Sequence, residues 1–266
     1  MPSIRTTARA AALILSLGLL VPFMPASAQY AAIPGPIHAG NTFGWYPAAA
    51  RYEFVGGLGN DWQKRGVGVV RTKNGMLTIG AHGRSVSATL QAPGHDTGRW
   101  EIRWKTKQYG AGRAPYTVRT ELVPAGDRPQ YCGARNIALE SYTFGRRKAQ
   151  FYIHNLPNLA FRAAKGPTYA GYSGDHWHTF AVEVTSSHIS WFVDAHVVST
   201  ERRPEAISGV PLTVRFSLAA VPGRAMNPAR MQMDWLRYWT LAKPNDKSIA
   251  APAPTQTTFP RACPPA

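Results

Sequence analysis

The chain has 266 residues, 44% hydrophobic and 11% aromatic, with 30 Lys and Arg against 14 Asp and Glu and a formal net charge of +16. The imbalance reflects scarce acids rather than a basic block, so it predicts attraction to polyanions, while the lack of any Lys/Arg run or nucleic-acid motif argues against nucleic acid as partner. After residue 23 no stretch is long and apolar enough to cross a bilayer, so no stable membrane insertion is expected.

Residues 1–28 read as a signal peptide. Arg5 and Arg9 precede an apolar run from Ala10 to Phe23, and Ala26-Ser27-Ala28 gives the small-residue cleavage pattern. The mature chain is expected to start near Gln29 and to be secreted, extracellular or cell-wall associated. It keeps 28 basic and 14 acidic residues, a net charge of +14. Residues 29–50, rich in Ala, Pro and Gly, read as an irregular segment. Short strands follow. Val67–Arg71 and Met76–Ala81 flank Lys73-Asn74-Gly75, a hairpin signal because Asn and Gly tolerate positive φ. Gly98–Thr106 alternates Trp100, Ile102 and Trp104 with Arg99, Glu101, Arg103 and Lys105, as a strand with one buried face does. Tyr116–Val123, Asn136–Tyr142, Gln150–His154, His178–Thr185, His188–Val193, Leu212–Ala219 and Met231–Trp239 continue the pattern, with Asp194-Ala195 closing one meander. No helix period of useful length and no repeat is present. The expectation is an all-β sandwich over 51–242, acting as a monomer. From 243 to 266 the chain turns Ala/Pro/Thr-rich and reads as an extended tail or spacer.

The succession TGRWEIRWKT, GARNIALESY, FYIHNLPN, DHWHTFAVEVTSSHISWFVDA and MQMDWLRYW resembles glycoside hydrolase family 16, by motif order over roughly residues 50–241. The resemblance implies the concanavalin A-like jelly roll. It also implies a catalytic strand bearing E-x-D-x-x-E, whose outer glutamates act as nucleophile and acid/base about 5–5.5 Å apart, with a β-bulge bringing the last one to the cleft face. Laid on from Gly133 without gaps, Arg135 falls at the nucleophile, Ile137 at the aspartate and Glu140 at the acid/base. An unbulged frame, preferred for its cleaner alternation, puts Asn136, Ala138 and Glu140 on the cleft face. Either way only Glu140 survives as a carboxylate.

Other candidates stand on nearby strands. In YTVRTELVP, Arg119, Glu121 and Val123 share a face by period two. Val123 stands where the family carries a sugar-stacking Trp. Glu121 is either a replacement carboxylate for Glu140 or the partner of a neighbouring Arg, the latter being commoner. Tyr152 and His154 match a cleft strand and are candidate sugar contacts together with Arg119, Arg135 and Asn136. Asp234 matches a position that helps hold a structural calcium; no other cofactor is implied. Cys132 and Cys263 either bridge, pinning the tail beside the cleft, or stay as separate thiols. Arg119–Leu122 (RTEL) and Tyr152–His154 (YIH) also faintly resemble alginate lyases of polysaccharide lyase family 7. The expected partner is a polysaccharide, and the charge favours an anionic one. Binding without cleavage is the preferred function. Hydrolysis by Glu140 with Glu121, and elimination on a polyanionic glycan, are the alternatives.

Overall fold

The structure is a computed structural model that describes residues 38–126, 136–156, 158–166, 172 and 174–259. Two antiparallel sheets face each other across one core. Sheet I runs β13 (His196–Glu201), β12 (Ile189–Val193), β11 (His178–Val184), β6 (Gly98–Gln108), β15 (Ala229–Trp239), β4 (Met76–Ala81) and β3 (Val69–Lys73), with β1 (Ala50–Tyr52) also paired to β15. Sheet II runs β16 (Thr255–Thr258), β10 (Leu159–Lys165), β9 (Ala149–Asn155), β8 (Asn136–Thr143), β7 (Thr117–Pro124), β14 (Leu212–Ala219), β5 (Val86–Leu90) and β2 (Trp62–Gly66). The all-β jelly-roll expectation is met.

The alternation read from the sequence is what builds the core. On β6, Trp100, Ile102 and Trp104 enter it beside Phe180 and Val182 of β11, while Arg99, Arg103 and Lys105 lie on the opposite face. Opposed to them from sheet II are Phe151, Ile153, Phe161 and Phe216, all buried. Asn74 and Gly75 take φ of 52° and 70°, so the predicted turn joins β3 to β4 with both central residues left-handed. Asp194 and Ala195, at φ 46° and 60°, do the same between β12 and β13.

Two segments differ from the sequence reading. Within the irregular N-terminal segment a short helix, α1 (Ala39–Thr42), packs with Phe43 and Trp45 against Phe192 and Trp239, forming a second apolar cluster outside sheet I. Its first N–H groups are held by the fully buried Glu101, Ala39 N–H to Oε1 at 2.5 Å and Gly40 N–H to Oε2 at 3.1 Å. The expected extended tail is folded down as far as residue 259. Asn245 bonds Trp45 and Glu183, Ser199 and Thr200 donate to Pro252 and Ile249 carbonyls, and β16 adds an edge strand to β10. Pro-rich composition allows such extended packing because bonds from neighbours satisfy the carbonyls.

One cross-sheet bond matters for the site. The indole N–H of Trp191, on β12, donates to the carbonyl of Ala138, on β8, at 2.8 Å. Both groups are buried. Trp191→Phe is expected to strand that carbonyl and to cost about 2 kcal/mol, lowering the thermal midpoint by roughly 4–8 °C. A scanning calorimetry midpoint within a degree of wild type would count against the bond's importance.

Candidate functional site

The outer face of sheet II carries the polar side chains that the sequence singled out. Cross-strand register decides which residues share it. Arg119 of β7 lies opposite Ser141 of β8 and Ser217 of β14, and Glu121 lies opposite Ala138 and Arg215. Ala138 lies opposite Tyr152, and Asn136 opposite His154. Val118 and Leu122 turn the other way, into the core.

Glu140 is not on this face, which corrects the unbulged reading. Between Ala138 and Ser141 the register of β8 slips by one residue against both β7 and β9. A bulge of this kind puts two successive side chains on one side of the sheet. Leu139 joins the core cluster, and Glu140 pairs with Thr120, whose other cross-strand neighbour is the core residue Phe216. Glu140 is 0% exposed. Its Oε1 accepts from Thr120 at 3.1 Å and its Oε2 has no partner. Burial pushes its carboxyl well above the ordinary range, and the Glu121 charge pushes it further. The gap-free frame that puts Ile137 on the cleft face also fails, because Ile137 is core. With the bulge where it is, Ala138 and Ser141 stand on the outer face at the spacing of the second and third acids of E-x-D-x-x-E, and the first falls at position 136, in register with His154.

Glu121 is the carboxylate that the outer face does hold, and it is 1% exposed. Tyr152 donates its hydroxyl to Oε1 at 2.5 Å, and Arg215 donates Nε and Nη2 to Oε2 at 3.2 and 2.9 Å. Burial opposes ionisation, but the charges of Arg215 and Arg119 and the Tyr152 bond outweigh it and hold the carboxyl below its usual value. Burial pushes the Tyr152 phenol well above its ordinary value, and the Glu121 charge adds to that. Glu121 and Glu140 therefore sit on opposite sides of one sheet. They cannot flank one glycosidic bond, so they are not the carboxylate pair that retaining or inverting hydrolysis requires.

Beside Glu121 the face opens into a basin of about 320 Å³, lined by Arg65, Ser87, Arg119, Glu121, Arg215 and Ser217 among others. Among the described residues the charges of Arg215 and Arg119 act on the Glu121 carboxylate, and Arg65 lines the basin with its Nε donating to Gln63 Oε1 at 2.9 Å. Arg215, Arg65 and Ser217 were missed in the sequence; the signal available was the outward parity of Arg215 in LTVRFSLA. On the other side His154 stacks between Tyr152 and Phe259, with centroids 4.3 and 4.2 Å away, and lies 3.5 Å from Arg162. The structure thus brings Arg119, Glu121, Tyr152 and His154 to one face. Arg135, Cys132 and Cys263 lie outside the described residues. Asp234 is on sheet I, with Arg103 Nη1 2.5 Å from its Oδ2. That guanidinium engages its carboxylate, whereas a calcium ion takes roughly six to eight oxygen ligands. Among the described residues no three His, Cys, Asp or Glu side chains gather.

Neither a family model nor a curated relative matches the chain. Solved structures do. The laminarinase (endo-1,3-β-glucanase) catalytic domain of Thermotoga petrophila is similar at 14% identity and TM-score 0.58, over 74% of this chain and 98% of its own. A non-specific endo-β-1,3(4)-glucanase of family GH16 is similar at 14% and 0.57, over 74% and 91%. The κ-carrageenase of Pseudoalteromonas carrageenovora is similar at 16% and 0.53, over 71% and 92%. The chain has the jelly-roll fold of family 16 glycoside hydrolases.

Proposed function

We propose that the protein is exported and binds an anionic extracellular or cell-wall polysaccharide on the outer face of sheet II without cleaving it. The observation that carries this reading is the bulge in β8. It leaves Asn136, Ala138 and Ser141 at the positions where the family places its acids, and it turns Glu140 inward. Fold likeness to enzymes that act on polysaccharides supports the ligand class, and function must still be argued from the site. Arg119, Arg215 and Arg65 around the basin supply fixed positive charge for sugar carboxylates or sulfates.

The test is a glycan panel run with the mature protein. Binding to carboxylated or sulfated polymers that weakens with salt, with no reducing ends released, is the expected result. Arg119→Ala is expected to weaken binding about ten- to hundredfold, since a charge-assisted bond contributes about 1.5–3 kcal/mol. Release of reducing sugar by the wild type would overturn the reading. A second reading, elimination on a uronate polymer, is favoured by the convergence of Arg119, Tyr152 and His154. It needs a free base, and the Tyr152 hydroxyl is committed to Glu121. New ultraviolet absorbance from a C=C bond in the products would establish it over binding.

A further inference from the structure

The outer face of sheet I is divided. Half of it lies under α1 and the folded C-terminal segment, around Phe43, Trp45, Phe192 and Trp239. The other half, over β3, β4, β15 and β6, is basic, and among the described residues Asp175 and Trp177 pack on it. Cross-strand register lays its residues out in rows. Val69, Gly80, Arg230 and Lys107 form one, and Arg71, Thr78, Gln232 and Lys105 the next. Lys73 and Arg103 flank the third, with Asp234 between them in the bulge of β15. The rows span about 13 Å along the strands and about 14 Å across them.

Among the described residues six cations stand on this area against two acids. Asp175, at φ 62°, draws in Arg230 at 2.7 Å, Lys105 at 3.5 Å and Lys107 at 3.8 Å, and Asp234 takes Arg103. Arg71 and Lys73 stay exposed. Two aromatic rings are set among the cations. Trp177 lies 4.7 Å from the Arg103 guanidinium and 4.9 Å from Lys105 Nζ, and Tyr109, 41% exposed, lies 5.7 Å from Lys107 and 5.9 Å from Arg230. A face needed only for solubility mixes its signs. Like charges on adjacent strands cost stability, and this sheet retains them.

We propose that this basic face is a second binding surface for a carboxylated or sulfated polysaccharide, so that one molecule bridges two chains. Rigid strands present the cations at fixed spacing for repeated anionic groups, and the rings of Tyr109 and Trp177 offer flat partners for sugar rings between them. A lipid surface is the poorer match. Interfacial binding buries Trp, Phe or Leu side chains, and on this face the exposed large apolar side chains are Val69 and Tyr109. The second surface stands without the first; the bridging rests on the polysaccharide reading of sheet II.

Heparin and polygalacturonate are the probes, with the full mature protein. Wild type is expected to bind with two classes of site and to give turbidity at intermediate protein-to-polymer ratios. The variant Arg71→Glu/Lys73→Glu/Lys107→Glu alters exposed side chains only. It is expected to lose the turbidity and to bind the second class at least tenfold more weakly, while keeping the class that Arg119→Ala weakens. A charge-neutral Arg71→Gln/Lys73→Gln variant should show the same loss in smaller degree and guards against misfolding of the first. Turbidity and both classes unchanged in these variants would overturn the proposal. So would adsorption through these residues to phosphatidylserine vesicles without binding of either polymer. If Arg119→Ala leaves binding unchanged while the triple variant loses the class it targets, the sheet II reading falls and this one stands.

Discussion

Arg215→Ala is expected to unfold roughly 6–12 °C below wild type and to lose glycan binding together with stability. Arg215 gives two hydrogen bonds to Glu121, whose carboxylate is buried. Removing one partner of a buried pair leaves a charge to be solvated by what remains, at a typical cost of about 3–5 kcal/mol. Here the cost falls near about 3 kcal/mol, because Tyr152 still donates to Oε1 and Arg119 still lies near. At a few degrees per kcal/mol for a domain of this size, that gives the stated shift. The cause can be separated from loss of packing by a cycle with Glu121→Gln. If the penalty is the stranded charge, the double variant is expected to be more stable than Arg215→Ala alone, so the two changes will not add. Simple additivity would mean that Arg215 acts through its own packing. The functional half is independent: glycan binding is expected to stay low in the double variant, because the guanidinium is gone from the basin in both.

The parts of this fold that could be read from the sequence are those where one residue type has one use. Alternation in GRWEIRWKT places Trp100, Ile102 and Trp104 in the core, and Asn74-Gly75 gives the β3–β4 turn. The catalytic-strand segment was legible as a strand and illegible in its frame. In NIALESY both Glu140 and Ser141 are polar, so a slip of one residue between Ala138 and Ser141 leaves a pattern that still looks acceptable. What decides it is tertiary: Trp191 on the opposite sheet bonds Ala138, and Thr120 receives Glu140. A buried glutamate is rare enough that local pattern argues against it. The packing of the C-terminal segment is illegible for a related reason. Its Ala and Pro residues carry no periodic signal, and its order comes from bonds made by Ser199, Thr200 and Arg203 far along the chain. Glu121 was open between catalytic acid and ion-pair partner. Its partner Arg215, ninety-four positions away, shows the ion pair.

The same buried carboxylates fix how stability should depend on pH. Burial pushes Glu101 up to about 7, against the opposing pull of the Gly40 and Ala39 N–H groups and of Arg237. It pushes Glu140 well above its ordinary value. A folded state that holds these protons more tightly than the unfolded chain is most favoured below the unfolded carboxyl value of 4.5, and loses that advantage as pH rises through the folded value. For Glu101 the window is therefore pH 4.5 to 7, and its size is about 3 kcal/mol. Glu121, Glu183 and Asp175 have the opposite sign. Arg215 holds Glu121 low, His188 and Arg99 hold Glu183 low, and Arg230 holds Asp175 low, in each case against burial. Their contribution is present above the unfolded values and is lost as pH falls through the folded ones. The thermal midpoint is thus expected to peak near pH 5, to drop at more acid pH, and to fall between pH 5 and pH 8 by roughly 6–12 °C from Glu101 alone, with Glu140 adding to the fall. Glu101→Gln is expected to flatten the fall between pH 5 and 7, though it loses an acceptor for the Gly40 N–H and starts from a lower midpoint. Glu140→Gln keeps an acceptor for Thr120 and mimics the neutral acid. It is expected to match wild type at pH 5, to match or exceed it at pH 8, and to leave glycan binding unchanged at both. A midpoint that rises from pH 5 to 8, with the same slope in Glu101→Gln, would refute the assignment of these protons. Loss of a glycan-cleaving activity in Glu140→Gln would return that residue to the cleft.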